Sequence, residues 1–258
     1  MKSRLAGVML TAAAGAAAMT TLSGAVASGY TAPTARNGPQ LIAVDRLTVS
    51  PRAERTLVDL RRRRRPPGTP PPSGAMCTTP GPGTSQYTTE GWKVAGPRTM
   101  HFNPSGTPAG LSNVAGSLQA ALSAWDSADP RAPTLTVAAD GTATAPTADH
   151  QDESMFEPLG STTLAETVTW RWPTGEIESD IAINSNLPWF QAPSEGTGCY
   201  AVAAFDVQNA LTHESGHVFG LGHADNSPYN TMYPGATEGE TYKRSLARGD
   251  ILGLQSIY

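Results

Sequence analysis

Apolar residues recur at the spacing of an α-helix between positions 111 and 125, where they form a single stripe that can face a core. The members of the stripe are Leu111, Val114, Ala115, Leu118, Ala121, Leu122 and Trp125. The pair Asp129-Pro130 marks the end of this helix, because proline disfavours helical geometry in the residue before it. The pattern therefore predicts one amphipathic helix in this part of the chain.

Alternating or β-branched runs on either side of that helix predict strands. The runs are Arg98 to Phe102, Thr134 to Ala138, Thr167 to Trp172 and Glu178 to Ile183. In the last run Ile181 and Ile183 alternate with Asp180 and Asn184, which is the period of a strand with two different faces. Residues 139–165 are polar and indicate irregular structure. Strands mixed with a few helices predict an α+β layer fold.

A second helix is predicted to begin at Asp206, a residue type whose side chain caps helix N-termini. Its apolar positions are Val207, Ala210, Leu211, Val218 and Leu221. Gly220 indicates where the helix ends, because glycine tolerates the positive φ of a reversing chain. Residues 213–223 read HESGHVFGLGH and hold three of the chain's five histidines. This segment is the strongest candidate for chemistry.

The histidine spacing predicts a zinc site. His213 and His217 are one helical turn apart, so both imidazoles project from one face and can bind one Zn²⁺. The turn at Gly220 then delivers His223 as the third ligand. Three neutral nitrogens leave one tetrahedral position for water, whose pKa the ion lowers toward about 7. Glu214, beside the first ligand, is the predicted general base and later the acid that protonates a leaving amine.

This HExxHxxGxxH motif resembles that of the metzincin zinc metallopeptidases, and within them the matrixin, or matrix-metalloproteinase-like, branch of the secreted bacterial type. The likeness extends over most of residues 90–258 and implies a twisted mixed β-sheet with an active-site helix, a second long helix and a C-terminal helix. Residues 230–234 read NTMYP and resemble the family's methionine turn, which implies that Met232 supports the histidines from below. The resemblance also implies that residues 234–243 line a substrate pocket.

The first 27 residues have the layout of a secretory signal peptide. Lys2 and Arg4 precede an apolar run that ends in the small residues Ala25-Val26-Ala27, which is the pattern of an export signal. An N-terminal helix of the fold is the other interpretation, but the segment has no amphipathic face that could dock. We therefore expect a secreted, extracellular protein.

Residues 28–76 are predicted to be a basic propeptide with a proline-rich linker, largely disordered. Five consecutive arginines at 61–65 precede a run rich in proline at 66–72, and both features favour an exposed, extended junction. Within this leader, only the stretch from Leu41 to Leu60 is predicted to be able to fold. The leader is either a removable segment that holds the enzyme latent or a merely solvated linker, and residues 77–258 are the predicted catalytic domain.

Charge is divided unevenly along the chain. Residues 1–76 hold 11 of the 18 Lys+Arg and 3 of the 22 Asp+Glu, a net charge of +8, so the remainder carries −12. An acidic catalytic domain argues against nucleic acid as a partner, because phosphate binding needs clustered cations. The longest weakly polar stretch, Leu5 to Ala27, is interrupted by Thr, Ser and Gly, so no membrane span is expected. The expected partners are protein or peptide substrates of a monomer.

Cys77 and Cys199 are the only cysteines, and export would place them where such a pair forms a disulfide. The other interpretation is that Cys77 binds the metal as a thiolate and keeps the enzyme latent. The acidic stretch Asp149 to Glu157 is a loose candidate for Ca²⁺. His101 and His150 are interpreted as ordinary surface or core residues.

The combined prediction is a secreted zinc-dependent endopeptidase that hydrolyses peptide bonds in proteins through a zinc-activated water. One alternative is a non-catalytic secreted binding module in which zinc is only a structural clamp, although Glu214 and an open fourth position count against it. The other alternative is a different zinc amide hydrolase, which would share the water chemistry and differ in its substrate groove.

Overall fold

A computed structural model of the chain describes residues 38–50, 82–196 and 204–258. The predicted signal peptide, the arginine and proline runs, Cys77 and Cys199 lie outside these residues, so export, the domain boundaries and the disulfide stay predictions. No helix in the three described segments is long and apolar enough to cross a membrane.

The described residues contain eleven strands. In chain order they are β1 (Gln40–Val49), β2 (Thr88–Thr89), β3 (Arg98–Phe102), β4 (Leu135–Ala138), β5 (Asp152–Glu157), β6 (Thr163–Arg171), β7 (Ile177–Asn184), β8 (Trp189–Phe190), β9 (Phe205–Asp206), β10 (Leu221–Gly222) and β11 (Gly235–Ala236). Seven of them form one mixed sheet in the order β11-β1-β6-β7-β5-β3-β4. Strand β6 is antiparallel to both of its neighbours, and the other pairs in the sheet are parallel.

Two helices pack together on one face of this sheet. They are α1 (Val114–Asp126) and α2 (Val207–Val218), and the third helix of the described chain, α3 (Arg248–Ile257), follows near its end. The predicted stripe of α1 is buried at Leu118, Ala121, Leu122 and Trp125. The indole Nε1 of Trp125 donates to the carbonyl of Thr212 at 2.8 Å, which ties α1 to α2. The α+β architecture and the helices expected from the sequence are thereby confirmed.

The expectation of irregular structure over residues 139–165 is wrong in part, because β5 lies within it and β6 begins in it. The misleading feature of β5 is that buried polar side chains replace the apolar alternation of a typical strand. Asp180 of the adjacent β7 accepts the backbone N–H groups of Thr147 and Glu153, each at 2.9 Å. Buried carboxylates are tolerated here because they hydrogen-bond the backbone of the neighbouring loop and strand.

Strand β1 comes from the segment predicted to be the leader, in the stretch from Leu41 to Leu60 that the sequence marks as able to fold. It lies between β6 and β11, with Val44 opposite Val168 and Thr48 opposite Gly235. Leu47 and Val49 of β1 are buried in an apolar cluster with Leu164, Leu187, Phe205, Ala210 and Ala236. Ten residues of the predicted leader are therefore part of the main sheet.

Replacing Leu118 of α1 by alanine tests the packing between the helices and the sheet. Leu118 is fully buried in the larger apolar cluster, so Leu118→Ala should lower the free energy of unfolding by about 2–5 kcal/mol. Urea denaturation at fixed zinc concentration measures this change. The control is Ala120→Ser on the exposed side of the same helix, with an expected change within about 0.5 kcal/mol. Equal stability of the two variants would show that the assigned core is wrong.

Candidate metal centre

Helix α2 is held at both ends by contacts that fix where its histidines point. The side chain of Asp206 accepts the backbone N–H of Asn209 at 3.0 Å, as the predicted N-cap. Asp206 also pairs with buried Arg244 at 2.6 Å. At the other end Gly220 has φ of +95°, and a Cβ there would collide with the carbonyl oxygen of Trp92. The reversal after α2 therefore requires glycine, as the sequence predicts.

The three predicted zinc ligands come together where the chain returns from this turn. Ring centroids are separated by 5.0 Å between His213 and His217, 5.3 Å between His213 and His223, and 4.8 Å between His217 and His223. One nitrogen of each ring lies within 4.8 Å of one nitrogen of each of the others. His213 and His217 are fully buried, whereas His223 is partly exposed.

Hydrogen bonds to carbonyl groups set the tautomer of two of these rings. Nδ1 of His213 lies 2.7 Å from the carbonyl oxygen of Thr231, and Nδ1 of His217 lies 2.8 Å from that of Leu221. Each Nδ1 must carry the proton in order to donate to a carbonyl, so each Nε2 presents a lone pair. The two Nε2 atoms are 3.2 Å apart. Two acceptors face each other without a proton between them.

A cation bound between the rings would remove the repulsion between these lone pairs. Nε2 of His223 is also buried and has no hydrogen-bond partner among the described residues, although such buried polar atoms are normally paired. Burial lowers the pKa values of His217 and His223 to about 4 and that of His213 well below its ordinary value. The rings are therefore neutral near pH 7, the form in which imidazole binds metals. Three such nitrogens fit Zn²⁺.

Met232 packs against α2 between the first two histidines. It is 1% exposed, and a Cβ on Gly216 would collide with the sulfur of Met232 and with the ring of Trp125. The close approach of the methionine thus depends on the glycine of the HESGH segment. The supporting role that the resemblance implies for Met232 stays a prediction.

Asp250 holds the methionine turn and was not identified from the sequence as a site residue. Its carboxylate accepts the backbone N–H groups of Thr231 at 2.8 Å, Met232 at 3.1 Å and Ala247 at 2.8 Å. Thr231 in turn supplies the carbonyl that orients His213. The sequence feature that could have identified Asp250 is its position as an acidic residue in the first turn of a C-terminal helix, which is typical of N-terminal capping.

Glu214 points toward the sheet. Its Oε1 accepts the backbone N–H of Leu47 in β1 at 3.2 Å, and its Oε2 accepts the hydroxyl of Thr167 in β6 at 2.6 Å. Burial raises the pKa of this carboxyl well above its usual range, and the two hydrogen bonds oppose that effect. No local sequence signal identifies Leu47 or Thr167, because both are distant from Glu214 along the chain.

Two further carboxyl groups lie beside the histidines. Asp45 of β1 and Glu90, which follows β2, each place an oxygen within 4.8 Å of the other and of a nitrogen of His217. Oδ2 of Asp45 is 3.8 Å from Nδ1 of His217. Burial, reinforced by the charge of Asp45, raises the pKa of Glu90 to about 7. Neither residue was identified from the sequence.

The remaining candidate residues lie apart from this centre. His101 pairs with Asp140 at 2.8 Å, and His150 stacks on Trp172 with ring centroids 3.5 Å apart. Among the residues that the structure describes, the acidic stretch 149–157 forms no cluster of the kind that holds a metal. The two histidines thus have the ordinary roles expected for them, and the calcium expectation is without support.

Comparison with known proteins identifies the family. The sequence model of the matrixins matches residues 100–258. The chain belongs to the matrixin family of metallopeptidases. It is also 31% identical over 112 residues to Metalloendoproteinase 2-MMP of Arabidopsis thaliana, a match that covers 43% of this chain and 27% of that protein. The matched part of this matrixin therefore spans about a quarter of the length of that relative.

Changing Asp250 to asparagine tests whether the methionine turn positions the metal ligands of this matrixin. The amide would turn an NH₂ group toward backbone donors that now meet a carboxylate, so Asp250→Asn should lower the free energy of unfolding by about 1–3 kcal/mol. Zinc affinity should fall by roughly tenfold, as is typical when support of a ligand is lost. Competition with a fluorescent chelator measures the affinity. Asp140→Asn, on the surface, is the control, and an unaltered affinity in both variants would contradict the role of Asp250.

Proposed function

We propose that this protein is a secreted zinc-dependent endopeptidase in which His213, His217 and His223 hold the ion and Glu214 is the general base. The observation that carries the proposal is the convergence of three histidine ring nitrogens, two of which are buried Nε2 lone pairs 3.2 Å apart with no proton between them. Membership of a metallopeptidase family supports the same conclusion. A zinc ion bound there would lower the pKa of a bound water and polarise a peptide carbonyl.

The protein's own residues have distinct tasks in this reaction. The carbonyls of Thr231 and Leu221 hold two imidazoles in the metal-binding tautomer. Glu214 accepts a proton and passes it to the leaving amine. The hydroxyl of Thr167, 2.6 Å from Oε2, holds the carboxylate in place.

The proposed substrate is an extended segment of protein. Such a segment can add to the edge of a sheet through backbone hydrogen bonds. Strand β6 contacts Glu214 through Thr167, and β1 pairs with the edge of β6 at this point. The name of the Arabidopsis relative, a metalloendoproteinase, supports a protein substrate. We also retain export through residues 1–27, a leader over residues 28–76 and a catalytic domain over residues 77–258 as parts of the proposal.

Replacing Glu214 by glutamine separates catalysis from metal binding. Glu214→Gln removes the proton acceptor and keeps the zinc ligands, so cleavage of denatured casein should fall by roughly 10²–10⁴-fold while the zinc content is unchanged. The assay compares the full-length protein, intact and after limited trypsin digestion at the arginine run, by electrophoresis and metal analysis.

A matched pair of histidine variants is the control for this assay. His217→Ala should lose zinc and activity together, whereas His101→Ala, the same change outside the triad, should lose neither. Chelation should abolish cleavage and added zinc should restore it. A zinc-loaded wild type that cuts no peptide of a broad library, in either form, would favour the binding module. Cleavage of small amide substrates alone would favour another zinc hydrolase.

A further inference from the structure

Residues 84–90, which we call the brace, contact the two segments whose carbonyl groups orient the first two histidines. At one end the backbone N–H of Thr84 donates to Oδ1 of Asn230 at 2.8 Å, and Nδ2 of Asn230 donates to the carbonyl of Gln86 at 3.1 Å. Asn230 is fully buried and directly precedes Thr231 in the methionine turn. The brace is therefore attached to that turn.

The other end of the brace pairs with the chain that follows α2. Strand β2 lies antiparallel to β10, with Thr89 opposite Leu221 and Thr88 opposite Gly222. Leu221 supplies the carbonyl that orients His217. One segment of seven residues thus reaches the carbonyl supports of two proposed zinc ligands.

The third histidine lies beyond the helix, so its position depends on the backbone that carries it. The carbonyl oxygen of His223 accepts the hydroxyl of Thr88 at 2.5 Å. The N–H group of the same peptide unit, that of Ala224, donates to the carbonyl of Met232 at 2.9 Å. This peptide unit is a rigid plane, and it is held by the brace on one side and by the methionine turn on the other. Fixing the plane restricts the backbone rotation that would swing the imidazole of His223 away.

Gly222 has no room for a side chain because the brace lies against it. A Cβ at this position would lie 2.5 Å from Oε1 of Glu90 and 2.8 Å from Oγ1 of Thr88. The second glycine of the GLGH sequence therefore allows the brace to approach the third histidine closely. The brace lies outside residues 100–258, the part of the chain that matches the matrixin family.

We propose that Thr88 is a positioning residue for the third zinc ligand, and that the affinity of the metal centre depends on the brace. The inference rests on the proposed zinc centre and adds the support of its least buried histidine. The first two imidazoles are oriented by hydrogen bonds to their rings, whereas His223 is held through its backbone. Loss of the Thr88 hydroxyl frees this carbonyl, so zinc binding weakens while the set of ligands is unchanged.

Thr88→Val tests this role, because valine has the shape of threonine without the hydroxyl donor. Competition with a fluorescent chelator on the full-length protein should show a zinc affinity about tenfold lower, the loss that follows removal of a ligand's support. Thr89→Val is the matched control: it is the same change at the next position of β2, where the side chain is on the other face of the strand. Its affinity should stay within about twofold of the wild type. Thr88→Ser keeps the hydroxyl and should restore the wild-type affinity.

Cobalt(II) absorption separates a role at the metal from a merely structural one. The visible d–d bands of bound cobalt report the geometry of its ligands, so those of Thr88→Val should shift relative to the wild type. The bands of Thr89→Val and Thr88→Ser should not shift. Thr88 is exposed, so all three variants should fold, which urea denaturation checks. A merely structural role would lower the urea midpoint of Thr88→Val and leave its zinc affinity and cobalt spectrum unaltered, and this result would overturn the proposal.

The outcomes separate this proposal from the proposed function. A wild type that takes up neither zinc nor cobalt would overturn both. A wild type that binds zinc and cuts casein with dependence on Glu214, together with equal affinities and spectra for Thr88→Val and Thr89→Val, would overturn only the role of the brace. Weaker zinc binding in Thr88→Val, restored in Thr88→Ser and accompanied by the shifted bands, would support it.

Discussion

The mutual orientation of three neutral imidazoles is the constraint on which the rest of the structure depends. Each of the first two rings donates from Nδ1 to a carbonyl, so their Nε2 lone pairs must face each other at 3.2 Å in a site that excludes solvent. Such a contact is unfavourable without a cation. The cap of α2, the turn at Gly220 and the carboxylate of Asp250 all serve to hold this arrangement, because each fixes a helix end or carbonyl that orients a ring.

Strand β1 lies between the metal centre and the edge of β6 that the proposed substrate would use. With β1 in place, Glu214 is hydrogen-bonded to Leu47, and Oδ2 of Asp45 lies 3.8 Å from Nδ1 of His217. With β1 absent, β6 would present its edge to an extended peptide. The strand that completes the sheet is thus the one whose position is incompatible with substrate.

Local features of the sequence predict the helices and the triad, and long-range features do not. Asp206 as a cap, Gly220 as a stop and the one-turn spacing of His213 and His217 all act within a few residues, so the pattern alone reveals them. β5 was not predicted because buried polar residues replace its apolar alternation, and the carboxylate that accepts its backbone N–H at Glu153, that of Asp180, lies on β7. Asp45 was not identified because its spatial neighbours Thr167 and His217 are more than 100 residues away in sequence.

Removal of β1 from the sheet would cost free energy, so the edge of β6 proposed for the substrate would rarely be free in intact chains. Leu47 and Val49 are buried, and exposing them costs about 1.5–3 kcal/mol each, so roughly 1% or fewer of intact chains would be open. A substrate would bind intact chains with an affinity reduced by that fraction. A cut between β1 and the predicted catalytic domain turns an intramolecular contact into an intermolecular one, which is lost on dilution. The arginines at 61–65 lie in that interval of the sequence, and a basic run is a natural substrate for trypsin-like cleavage.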